Sequence, residues 1–112
     1  MLKGPLHYQS LIGVPCIWRE PGNHAGAGTT RADLTSLLDL PTAILSRAGV
    51  APVYGMQGRA LFTPAGAVQA SGRDAVLIEE NQQRAYLGFK GTVRVRTLVT
   101  ATHRISVFAD GR

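Results

Sequence analysis

The residues able to do chemistry are few and scattered. One cysteine (Cys16) and three histidines (His7, His24, His103) accompany the carboxylates Glu20, Asp33, Asp39, Asp74, Glu79, Glu80 and Asp110. Histidine metal ligands commonly come in local pairs such as His-x3-His. The spacing of His24 and His103 makes no such pair, and both read as structural or solvent-facing. A hard cation wants several oxygen ligands converging on one point, whereas Asp33, Asp39, Asp74 and Asp110 are dispersed along the chain. The stretch Ala25-Gly26-Ala27-Gly28 looks like a phosphate loop. Such a loop ends in Gly-Lys-Ser/Thr so that a lysine reaches the phosphates, but Thr29-Thr30 follow Gly28 here, so nucleotide binding is not expected. Arg94 and Arg96 would share one face of an extended strand. There they could hold an anion, although a solvent-facing or interdomain role suits isolated arginines better.

The elements that must position these residues are those of a small α+β domain. Leu11-Ile12-Gly13-Val14-Pro15-Cys16-Ile17-Trp18 is a continuous apolar run closed by Arg19-Glu20-Pro21-Gly22, which predicts a buried strand with Pro15 at its start or edge. Cys16 then reads as a small apolar strand residue. Residues 22–30, rich in Gly, Ala and Thr, predict a loop. From Asp33 onwards Leu37, Leu38, Leu40, Ile44, Leu45 and Ala48 recur at helical spacing. Asp39 supplies a capping carboxylate, Pro41 falls in the first turn and Gly49 suits C′, so the helix is expected over about 40–48. Gly55-Met56-Gln57-Gly58-Arg59 predicts a tight turn, because glycine is favoured where φ must be positive. The last forty or so residues read as β: residues 75–80, 85–89, 93–99 and 103–108, with Thr100-Ala101-Thr102 as a hairpin connection. Together these predict one main helix followed by a C-terminal antiparallel sheet.

Composition bounds the function. The 112 residues suffice for one domain; 45% are apolar and 17% charged, so a core can form and disorder is not indicated. The net charge is +5, and ten of the twelve basic residues are arginine. They form no block and no aromatic-interleaved patch, which favours a solvated basic surface, or one facing an acidic partner domain, over a nucleic-acid interface. A single cysteine excludes an intramolecular disulfide. Met1-Leu2-Lys3-Gly4-Pro5 lacks the apolar core of a signal peptide, and no run approaches a membrane span. The default expectation is therefore cytoplasmic, without a membrane partner.

The order of several short motifs goes further. Lys3-Gly4-Pro5-Leu6-His7-Tyr8 precedes Val14-Pro15-Cys16-Ile17-Trp18. Then come Leu37-Leu38-Asp39-Leu40-Pro41-Thr42-Ala43-Ile44-Leu45, Arg47-Ala48-Gly49-Val50 and Gly55-Met56-Gln57-Gly58-Arg59-Ala60-Leu61. Val95-Arg96-Thr97-Leu98-Val99 leads into His103-Arg104-Ile105-Ser106-Val107 at the end. This succession, covering nearly the whole chain, resembles the C-terminal third of the sulfatases, sulfuric ester hydrolases of the alkaline-phosphatase-like superfamily. The resemblance implies residues 1–50 as a remnant of the catalytic α/β core and 51–112 as a C-terminal β-rich subdomain.

The resemblance also implies roles. Lys3 aligns with the lysine that sulfatases direct at the sulfate oxygens, a compact cation suited to charge developing on the transferred group. In an isolated chain, a lysine at that position reads instead as frayed and solvated. His7 could line the substrate pocket as a hydrogen-bond donor, against a simpler reading as a partly exposed loop histidine. Asp39 and Gly58 match motif positions with structural roles. The family's formylglycine, made from Cys or Ser in Cys/Ser-x-Pro/Ala-x-Arg, finds no counterpart, since Cys16-Ile17-Trp18-Arg19 does not fit. Its Ca2+ or Mg2+ is held by aspartates upstream of the Lys-Gly segment. The chain is therefore expected to be truncated at both ends and inactive alone, with its sulfate ester met through the missing part. Two alternatives stand beside this reading. One is a phosphoester or phosphonate hydrolase fragment of the same superfamily; the other is a stand-alone basic module binding an anionic polymer through Arg94, Arg96 and Arg104. A fragment would also expose the apolar surface of residues 14–18 and self-associate.

Overall fold

The computed structural model describes residues 6–20, 22, 27–63, 67–69, 72–81 and 93–109. Its architecture is small α+β, with helices α1 (Gln9–Ile12) and α2 (Asp39–Arg47) and strands β1 (Ala75–Asn81), β2 (Arg94–Thr100) and β3 (Arg104–Phe108). The chain divides into two compact units: Met1–Cys16 with Ala75–Arg112, and Ile17–Asp74.

In the first unit the strands form an antiparallel sheet of order β1-β2-β3. The register pairs Ile78 with Thr97 and Thr97 with Ser106, and likewise Glu80 with Val95 and Val95 with Phe108. Side chains directly opposite one another share a face. Val76, Ile78, Glu80, Val95, Thr97, Val99, Ser106 and Phe108 thus lie on one side. Leu77, Glu79, Arg94, Arg96, Leu98, Ile105 and Val107 lie on the other. The alternating burial of β2 shows which side is inward: Val95 and Thr97 are buried while Arg94, Arg96 and Leu98 are exposed. The strands expected over 75–80, 93–99 and 103–108 are thus found to within one residue at each end, with Thr100 in β2 rather than in the connection, and the Thr100 N–H donates to the His103 carbonyl (2.8 Å) across the β2–β3 turn. The expected strand over 85–89 lies outside the described residues.

The expected buried strand over residues 11–18 does not form. Gln9–Ile12 makes one helical turn instead, closed by the Gly13 N–H on the Gln9 carbonyl at 2.8 Å, and residues 13–20 are irregular. Ile17 is 93% exposed and Cys16 is exposed rather than packed as a strand residue. A strand is stabilised by its ladder, and Pro15 lacks an N–H to contribute to one. Among the described residues no strand pairs with this segment.

The second unit is built on α2, whose ends are those expected to within one residue. Gly49 adopts φ 70°. The Val50 N–H reaches the Leu45 carbonyl (2.9 Å) and the Gly49 N–H reaches that of Ser46 (3.2 Å), a Schellman closure. The inward stripe of α2 is not apolar, however: Asp39, Thr42 and Ala43 are buried, while Ile44 and the preceding Leu37 and Leu38 are exposed. Trp18 packs on buried Phe62 (centroids 4.5 Å apart, planes at 38°), and its indole N–H donates to Glu20 at 3.0 Å. Glu20 also accepts from the Arg47 guanidinium at the end of α2 (Nε 2.9 Å). No helix among the described residues is long and apolar enough to cross a membrane.

Candidate functional site

The inner face of the sheet carries a line of polar groups that meet around one histidine. Thr97 of β2 and Ser106 of β3 are register partners, and their hydroxyls lie 2.7 Å apart. His7, just before α1, places Nδ1 2.7 Å from the Thr97 hydroxyl and Nε2 3.2 Å from the Glu80 carboxylate of β1. His7 is 8% exposed and Thr97 is fully buried. Hydrogen-bond accounting orders the protons. An ionised carboxylate only accepts, so Nε2–H donates to Glu80. In the neutral ring Nδ1 is then an acceptor, so the Thr97 hydroxyl donates to it and in turn accepts from Ser106. Each hydroxyl is used and no buried donor in this line is left over, the condition for burying polar groups without penalty.

His7 is thus a buried rather than a partly exposed loop residue, and both ring nitrogens are engaged within the protein. Its partners Thr97, Glu80 and Ser106 were not singled out as site residues in the sequence. The signal for Thr97 was there, however: a threonine between Val95 and Val99 at an inward strand position must find a hydrogen-bond partner.

The second cluster surrounds Asp39, which is fully buried. Its carboxylate does not cap its own helix. Oδ2 accepts from the Ser36 N–H (2.8 Å) and Oδ1 from the Arg59 N–H (2.8 Å), while Arg73 adds Nε at 3.0 Å and a second guanidinium contact. Burial alone would raise the Asp39 pKa. The Arg73 guanidinium and the two backbone N–H donors outweigh it, and the carboxyl is held below its ordinary value. Glu20 is lowered too, chiefly by Arg47 and then by the Trp18 indole. Gly58 fits this cluster for a reason other than positive φ. A Cβ there would overlap the Leu38 carbonyl and the Thr42 hydroxyl, so only glycine allows the Gln57-Gly58-Arg59 segment to lie against the start of α2. Gly55, with φ 90°, does meet the positive-φ expectation.

The remaining candidates are dispersed. Lys3 and His24 lie outside the described residues. His103 is exposed in the β2–β3 turn, with Nδ1 2.8 Å from the Thr102 hydroxyl. Arg94 and Arg96 do share one face, but Arg96 is paired with Glu79 (2.7 Å), and Arg104 opposes Val99 and so belongs to the other face. The three arginines proposed for an anionic polymer are not presented together. Among the described residues no three His, Cys, Asp or Glu side chains could hold a metal ion. Asp33 is engaged by Arg31, Asp39 by Arg73, Glu20 by Arg47, Glu79 by Arg96 and Glu80 by His7. This donor set does not fit a hard cation. Compared with known proteins, the chain matches no family model, no curated protein and no solved structure.

Proposed function

We propose that the chain is the C-terminal part of a sulfuric ester hydrolase, with Lys3 contacting the sulfate group. The observation that supports this reading is the order of the motifs, and segments that carry it lie in contact within each compact unit. His7, four residues after Lys3, bonds Thr97 of the Arg96-Thr97 segment ninety positions away. Asp39 of Asp39-Leu40-Pro41-Thr42 accepts from the Arg59 N–H of Gln57-Gly58-Arg59, whose glycine lies against Leu38 and Thr42. In this reading the nucleophile and the cation belong to residues outside this chain. What this chain supplies is Lys3, a compact ammonium that neutralises charge building on the transferred group's oxygens.

The test is to join the chain to its upstream reading frame. A Cys/Ser-x-Pro/Ala-x-Arg motif and a metal-binding aspartate pair are expected there, and their absence sinks the proposal. In the joined protein Lys3→Ala should slow release of sulfate from an aryl sulfate by about 10²-fold or more. Unchanged turnover refutes the role given to Lys3. Parallel assays with aryl phosphate and phosphonate esters decide between sulfate and the related esters. The 112-residue chain itself should hydrolyse none of them.

A further inference from the structure

We propose that Ser106 is a nucleophilic hydroxyl for aryl carboxylic esters, activated by His7 as a general base acting through Thr97; this goes beyond the sulfate chemistry and does not depend on it. His7, Glu80, Thr97 and Ser106 all belong to one compact unit. A nucleophilic hydroxyl is activated by a neighbouring base that a third group holds in place. Here the third group is Glu80, 3.2 Å from Nε2, and the base is Nδ1, 2.7 Å from the Thr97 hydroxyl. Thr97 is fully buried and meets no substrate. Its hydroxyl, however, stands 2.7 Å from that of Ser106, which is half-buried on β3. The proton order points each O–H toward the base, Ser106 to Thr97 and Thr97 to Nδ1. Ser106 is therefore the end of the line that solvent reaches, and its proton has a route to the imidazole. Arg104 lies on the same face, two positions along β3, exposed and without an ion pair among the described residues. A cation there suits the oxygen on which charge builds during attack. Glu80 and Arg104 are the charged side chains that the three strands place on this face among the described residues.

The step balances. As Ser106 Oγ bonds to the ester carbonyl carbon, its proton passes to Thr97 while the Thr97 proton passes to Nδ1. Thr97 ends as it began, and the imidazolium lies against Glu80. The bond to the aryl oxygen breaks and the phenolate leaves without needing a proton. The proton on the imidazole returns to solvent through half-buried Glu80. Water then hydrolyses acyl-Ser106, giving the carboxylic acid and the free hydroxyl. Ser106 is the residue that touches substrate, and Glu80 is a positioning residue for the base.

The experiment treats the 112-residue chain with p-nitrophenyl acetate and reads the acetylated positions by peptide mass spectrometry, so that Cys16 and the lysines are counted separately. Ser10, exposed and outside the network, is the internal reference. Ser106 should be acetylated about 10²-fold faster than Ser10, the contribution of a positioned base. Its rate should rise with pH as His7 loses its proton and level off once the imidazole is neutral, with the midpoint of the His7 titration followed by NMR. A network that only holds the fold leaves no such mark on the pH profile. Thr97→Val keeps the side chain's shape and removes the relay hydroxyl; it should bring Ser106 down to the rate of Ser10, and Thr97→Ser should restore most of the advantage. Equal rates at Ser106 and Ser10, a Ser106 rate that does not follow the His7 titration, or an undiminished rate in folded Thr97→Val each overturns the proposal. The first two are read on the unaltered chain, so they decide even if Thr97→Val fails to fold.

Discussion

Both compact units bury polar side chains, but they do so with different charge. Around α2 the buried group is an ionised carboxylate, Asp39, matched by the Arg73 guanidinium and two backbone N–H groups. In the sheet the buried groups are hydroxyls and an imidazole, and the carboxylate that the imidazole meets, Glu80, is half-buried. The difference teaches where each unit is vulnerable. Removing one half of a buried ion pair leaves a charge stranded in low dielectric. Removing a hydroxyl leaves a polar atom short of one bond.

The largest effect is therefore expected at Asp39. Asp39→Ala should destabilise the chain by about 3–5 kcal/mol in urea unfolding, because Arg73 loses its counter-charge and two backbone N–H groups lose their acceptor. A loss under about 1 kcal/mol would mean that the pair is solvated and the contrast false. The same residue predicts acid sensitivity. The folded-state pKa of Asp39 is lowered, so the unfolded chain takes up the proton more readily. That stabilisation is complete above the ordinary carboxylate value of about 3.9 and is lost as pH falls through the lowered folded-state value. Asp39→Asn should flatten stability against pH in that acid window, although its stability at neutral pH is lower. An unchanged acid slope would assign the effect to another group.

Next in size comes Gly58→Ala. A methyl group there collides with the backbone of Leu38, which cannot swing aside, and the expected cost is about 2–3 kcal/mol. A neutral result would show that the segment is not seated against α2. Thr97→Val should cost less, about 1–2 kcal/mol, since it removes a neutral hydroxyl while filling the same volume. If it costs as much as Asp39→Ala, the two units do not differ in the way described. The smallest effect belongs to Arg96→Ala. Its pair with Glu79 is solvent-exposed and should contribute under about 0.5 kcal/mol.

Much of the fold was legible because its signals are local. Alternation along Val95-Arg96-Thr97-Leu98-Val99 specified β2 and its inward face, and Gly49 specified the end of α2 to within one residue. Reading the apolar run at 11–18 as a strand went wrong because a strand exists only by pairing, and pairing is not written in the run itself. The apolar residues of α2 likewise suggested an apolar buried face. The helix instead turns Asp39 and Thr42 inward, because Arg73 and the Arg59 N–H, distant in sequence, are there to meet the carboxylate.

The sequence by itself determined which segments are helix, strand and turn over most of the described chain, that charge is spread rather than clustered, and which motifs stand in which order. Backbone preferences, side-chain period and composition act within a few residues, so they can be read there. Only the tertiary structure decided that His7 is buried, that it is held by Thr97 and Glu80, and that Asp39 binds Arg73 instead of capping its helix. A buried polar group announces that it needs a partner; which of many distant groups meets that need is settled when the chain packs.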